Sequence, residues 1–116
     1  MRPSTKVPFA WTRKELRGTG AITNTAIWTP ATGNSVYVHK ILATVSAASE
    51  VVLSEGDDAS GTRVLDIYAG ANGGLVVEWP HEAPLKLATN AVLKASTTAG
   101  NSKFTVYGFE AKTESY

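Results

Sequence analysis

The stretch TRVLDIYAGANGGLVVEWP (62–80) decides what kind of chain this is. Val64, Asp66 and Tyr68 alternate with Leu65, Ile67 and Ala69. That period of two sends successive side chains to opposite faces of a strand. AGANGG (69–74) then supplies the glycines and asparagine that tolerate turn backbone angles, and GLVVEWP (74–80) begins a second apolar run. GANGG has neither the Gly-Lys-Ser/Thr ending nor the following helix of a phosphate loop. A hairpin turn between two strands is the expectation.

The same grammar extends in both directions. Upstream lie GAITNTAIW (20–28), the turn TPATGN (29–34), SVYVHKILAT (35–44), VVLSE (51–55) and the acidic connector SEGDDASG (54–61). Downstream come PLKLAT (84–89), AVLKAS (91–96), TTAGNS (97–102) and KFTVYGFEA (103–111). In SVYVHKILAT the apolar residues change parity at Ile41–Leu42, as a bulge would require. Gly108, inside the last strand, signals a bulge or a close backbone approach. Short strands spaced roughly 8–12 residues apart predict a sandwich or barrel. The fold expected is all-β: an antiparallel, jelly-roll-like β-sandwich of about eight strands. A helix is conceivable only over TRKELR (12–17), where Thr12 and Glu15 have capping-box spacing.

The bulk composition is that of one globular domain. The chain has 116 residues, 43% hydrophobic and 18% charged. It has no cysteine, so neither a disulfide framework nor a thiolate metal site is available. No apolar run is long enough to span a bilayer as a helix. The N-terminal stretch lacks the apolar core of a secretory signal, so synthesis and assembly in a cytoplasm are expected.

The net charge of +1 conceals an asymmetry. Residues 1–20 hold Arg2, Lys6, Arg13, Lys14 and Arg17 against Glu15, whereas the rest of the chain has more acids than bases. This divides the chain into a basic arm over 1–18 and a sandwich domain over 19–116. Such an arm favours self-association or docking on an acidic partner. Phe9 and Trp11 beside Pro8 read as anchors for it.

No catalytic constellation emerges. His39 and His81 stand far apart in sequence, and zinc needs three or four ligands. Glu55, Asp57 and Asp58 lack the ordered spacing of a calcium loop and read as a hairpin tip. Asp66 and Glu78 could pair as glycosidase carboxylates only if two separate strands brought them together. A serine nucleophile would need a positioned base, and no Gly-x-Ser-x-Gly occurs. The expectation is therefore a non-enzymatic protein with no cofactor. A pI near 8.0 and tyrosines not interleaved with basic residues argue against nucleic acid. Trp28 and Trp79 sit at element boundaries, where aromatics serve as interface anchors or as platforms for carbohydrate.

The order of these signals resembles small bacteriophage virion β-sandwich proteins, the head decoration (cement) proteins and their head-fibre or tail-accessory relatives. The resemblance rests on Trp28-Thr29-Pro30 with Gly33, SVYVHKI (35–41), VVLSEGDDASGT (51–62), the Gly73-Gly74 pair before an apolar strand, Pro84-Leu85, and FTVYGFEA (104–111). It implies a homotrimeric jelly roll seated on the outer surface of a phage head and bound to the major capsid protein. It implies no catalytic residue and no membrane. The contact residues expected are Phe9, Trp11, Arg13, Lys14, Arg17, Trp28 and Trp79; the alternative is a carbohydrate- or receptor-binding module of a fibre or tail.

Overall fold

The computed structural model describes residues 12–57 and 61–112. Nine strands run through them: β1 (Thr12–Gly18), β2 (Ile22–Trp28), β3 (Asn34–Val45), β4 (Ser49–Glu55), β5 (Thr62–Ala69), β6 (Gly74–Glu78), β7 (Leu85–Lys86), β8 (Leu93–Thr97) and β9 (Ser102–Lys112). They form two antiparallel sheets. One has the order β1-β9-β3-β6, with the two-residue β7 continuing the β6 edge of β3; the other has the order β2-β8-β4-β5.

That order is the jelly roll. With β7 set aside, the first strand pairs with the last, the second with the last but one, β3 with β6, and β4 with β5. The chain is in effect one long antiparallel hairpin wrapped into two facing sheets. Closing the roll are β3 against β9 and β4 against β8.

The core follows from the alternation. Val36, Val38, Ile41, Ala43, Phe104 and Val106 from the first sheet meet Trp28, Val51, Leu53, Leu93 and Ala95 from the second. Each large apolar side chain buried here contributes about 1.5–3 kcal/mol relative to exposure. The inward positions of β3 switch from even to odd between Val38 and Ile41, because the pairing with β9 slips between Val38 and Lys40. The expected bulge is real and centres on His39. Gly108 lies opposite Val38 beside this slip, where a Cβ would overlap the Tyr37 carbonyl oxygen. Close backbone approach is the reason for glycine there.

Two expectations are corrected. GANGG does not close a hairpin: β5 pairs with β4 in one sheet, and β6 pairs with β3 in the other. A turn does form, with the Gly73 N–H donating to the Gly70 carbonyl and Asn72 at positive φ, but it carries the chain between sheets. Turn chemistry specifies a reversal, whereas the choice of sheet belongs to the partner strands.

The second correction concerns 12–17, which are not a helix but lie within β1, paired with β9 from Thr12–Gly108 to Gly18–Ser102. A six-residue helix has no cooperative stability of its own, while the open edge of β9 supplies a full ladder of backbone partners. The described part of the basic arm is therefore an edge strand of the sandwich.

Candidate functional site

The register sorts the first sheet's residues by face. Leu16, Phe104, Val106, Ile41 and Leu75 point inward. Their alternates, Arg13, Glu15 and Arg17 on β1, Thr105, Tyr107 and Phe109 on β9, Tyr37 and Leu42 on β3, and Val76 and Glu78 on β6, therefore cover the outer face.

This outer face is unusually apolar for a solvated sheet surface. Tyr37 and Phe109 are directly opposite and stack, with centroids 4.9 Å apart and planes 7° from parallel. Tyr107 lies opposite Lys40, and Leu42 lies between Thr105 and Val76. Val76 is 58% exposed; Tyr37, Leu42, Tyr107 and Phe109 are half-buried and contribute nothing to the core. Cations frame the stripe. Lys86 Nζ lies 5.9 Å from the Tyr37 ring centre, Lys40 pairs with Glu78 at 3.5 Å, and Arg13 pairs with Glu15 at 3.4 Å.

The opposite outer face differs in character. Asp66 pairs with Arg63, whose Nη1 is also 3.9 Å from Glu50, and Ser96 and Lys94 stand nearby. Tyr68, 83% exposed, is the large apolar group on it.

The residues expected to make contact divide sharply. Phe9 and Trp11 lie outside the described residues. Arg13 and Arg17 do project from the outer face. Lys14 turns inward instead, with Nζ 5.6 Å from the centre of the Trp28 ring, a cation–π contact worth about 0.5–1 kcal/mol.

Trp28 is no rim residue. It is 1% exposed and is the largest wholly buried side chain among the described residues. Sequence position at a strand end mislocates it, because the β2–β3 turn folds back over the sandwich end and β9 runs on beneath it. Trp79 is half-buried and packs against the core, with its backbone N–H donating to the His39 carbonyl. Neither indole presents an open stacking platform.

Glu110 closes that end of the sandwich. One carboxylate oxygen accepts from Trp28 Nε1 at 2.9 Å; the other accepts from the Ala31 N–H at 2.9 Å and Asn34 Nδ2 at 3.0 Å. Burial pushes its pKa up, but these three donors and the nearby Lys14 charge outweigh it and hold the carboxyl below the ordinary value. The sequence did not single Glu110 out. Its role depends on a turn 79 residues away along the chain.

The remaining candidates for chemistry do not converge. Asp66 and Glu78 project from opposite outer faces of the sandwich, with Asp66 held by Arg63 and Glu78 by Lys40. In the acidic connector, Glu55 accepts from the Ala88 N–H at 2.7 Å, and Asp57 pairs with Lys94 at 2.7 Å. Those two carboxylates fasten the β4–β5 turn to its neighbours. His39 and His81 do meet, edge to face, with ring centres 4.3 Å apart. The β3 bulge and the loop between β6 and β7 bring them together, which sequence separation hides. Among the described residues no group of three or more His, Cys, Asp or Glu side chains could hold a metal.

No family model matches the chain, and no curated protein matches it. Among solved structures, the virus-like particle of the giant freshwater prawn Macrobrachium rosenbergii extra small virus, determined by cryo-EM, contains a chain that is similar. The two are 15% identical, the match covers 95% of this chain and 86% of that one, and the TM-score is 0.39. At such values the jelly-roll assignment rests on the strand order itself.

Proposed function

We propose that this chain is a structural protein of a phage virion, a decoration (cement) protein that binds the assembled head through the outer face of its β1-β9-β3-β6 sheet. The observation that carries the reading is the apolar stripe Tyr37–Phe109–Tyr107–Leu42–Val76 flanked by Lys86 and by the ion pairs Lys40–Glu78 and Arg13–Glu15. An outward sheet face that is apolar without belonging to the core marks a surface that another protein covers. Aromatic anchors inside a charged rim have the anatomy of a protein interface. The order of turn and strand signals resembling phage head proteins supports the choice of partner. The jelly roll supports it only by analogy, since one fold hosts many functions.

In this role the protein adds buried area across junctions of the major capsid protein. Binding only the assembled shell, it stabilises that state by mass action. A homotrimer would multiply individually weak contacts through effective concentration. No reaction is assigned, and the role requires no cofactor.

Co-sedimentation of the purified chain with capsids of the phage that encodes it tests the reading. The native chain should pellet with mature capsids and stabilise them to heat. A Tyr37→Ser, Phe109→Ser double variant should remain folded and stay in the supernatant. Capsid binding undiminished in that folded variant would refute the assigned face, and no capsid binding by the native chain would refute the role.

A further inference from the structure

Four loops gather at one end of the jelly roll: those joining β1 to β2, β3 to β4, β5 to β6 and β8 to β9. Between them lies an open concavity of about 440 Å³, lined by Arg17, Thr19, Thr44, Ser46, Asn72, Asn101, Ser102 and Lys103, with Gly18 and Val45. That volume falls in the range of small-molecule sites, roughly 300–1,000 Å³.

Its chemistry is one-sided. Arg17 and Lys103 are direct cross-strand neighbours on β1 and β9, and both line the hollow. Like charges facing each other across a strand pair are destabilising, by roughly 0.2–1 kcal/mol. No acidic residue lines the hollow, and neither cation has an ion-pair partner among the described residues. The arrangement is costly until an anion lies between the two.

The other lining groups are neutral hydrogen-bonding ones. Ser102 contributes backbone to the wall: it is 3% exposed, and its Oγ turns inward beneath Gly18, where it has no hydrogen-bond partner among the described residues. Only the absence of a side chain on Gly18 leaves it room, since a Cβ there would come within 2.6 Å of that oxygen. Asn101 Oδ1 accepts from the Gly20 N–H at 3.1 Å, which leaves its amide protons to donate. Asn72 is held at positive φ in its turn and presents a further amide at the rim.

We propose that this hollow binds a carboxylate-bearing sugar of the uronic acid type. The carboxylate bridges Arg17 and Lys103, and the side-chain amides of Asn72 and Asn101 donate to the ring hydroxyls. Two cations fit one carboxylate, and the amide and hydroxyl lining fits a polyhydroxylated ring. An acidic peptide would need a wall for its apolar atoms, and the one apolar side chain here, Val45, is itself buried. The hollow opens at the loop end of the same outer face, one outward row beyond Leu42 and Thr105, and the inference rests on its own lining, not on how the chain attaches to a particle.

The test is a titration of the isotope-labelled full chain, followed by amide NMR shifts, with sodium glucuronate, glucose, inorganic phosphate and tetraglutamate as separate probes. Glucuronate should move the amides of Thr19, Asn72, Asn101 and Ser102 with millimolar affinity, and glucose should bind at least about tenfold more weakly. Lys103→Gln should lose at least about tenfold in glucuronate affinity while its ligand-free melting temperature stays level or rises. A merely structural lysine would not give that pairing of effects. Arg17→Gln provides the same test from the facing strand. No shift at the hollow with glucuronate at tens of millimolar would overturn the proposal. Tighter binding of phosphate or tetraglutamate than of glucuronate, or undiminished glucuronate binding in both folded variants, would do the same.

Discussion

Replacing Glu110 by glutamine tests the central contact at the end of the sandwich. Its two carboxylate oxygens serve three donors, Trp28 Nε1, the Ala31 N–H and Asn34 Nδ2. A glutamine retains one oxygen, and its amide nitrogen must face a donor. Whichever way the amide turns, either the buried Trp28 indole or the Ala31 N–H loses its acceptor. The favoured orientation keeps the oxygen on the buried indole and turns the exposed Ala31 N–H to water, so the loss is that of one hydrogen bond, about 0.5–1.5 kcal/mol. At roughly 4 °C per kcal/mol for a domain of this size, Glu110→Gln should lower the melting temperature by roughly 2–6 °C at neutral pH.

The pH dependence adds a second signature. The folded-state carboxyl of Glu110 is held below its ordinary value of 4.5, so protons bind the unfolded chain more readily. Its contribution is complete above that ordinary value and is lost as pH falls through the lowered folded value. Thermal unfolding followed by circular dichroism, at neutral pH and stepwise into acid, should show the two proteins converging as pH falls. Equal melting temperatures at neutral pH, or a constant gap at every pH, would refute this account of the contact.

Other outcomes follow from the same geometry. Gly108→Ala drives a Cβ into the Tyr37 carbonyl oxygen and should cost about 1–3 kcal/mol or more, read from urea unfolding. Trp28→Ala should cost about 3–5 kcal/mol, and the half-buried Trp79→Ala clearly less; equal losses would contradict the placement of the two indoles. A chain beginning at Thr12 keeps every described strand and should show a folded amide spectrum. Removing residues 1–18 strips β1 from β9, opens the β9 edge and uncovers core around Phe104 and Val106, so that variant should aggregate or unfold.

The sequence by itself determined the class of structure and most of the strand positions. Period-two alternation and Gly/Asn/Pro turns are local properties, written within about ten residues, and they identified every strand from β2 to β9. The β3 bulge and the tight approach at Gly108 were legible for the same reason: a parity change and a strand-interior glycine are visible in one dimension. Interleaving apolar residues on both parities of FTVYGF (104–109) were visible as well, and they were the available signal for a covered outer face.

What required the tertiary structure was everything that depends on which strands become neighbours. The turn at GANGG could not say whether it joined strands of one sheet or of two. TRKELR carried a capping-box pattern and became a strand because the edge of β9 was there to pair with it. The place of Trp28 at a strand end reads as a rim position, and a turn held down by Glu110 puts it in the core. Arg17 and Lys103, separated by most of the chain, became facing cations beside a buried hydroxyl only through the first-to-last pairing of the jelly roll. Local backbone preference acts over a few residues, whereas a site assembled from opposite ends of the chain exists only once long-range pairing has closed.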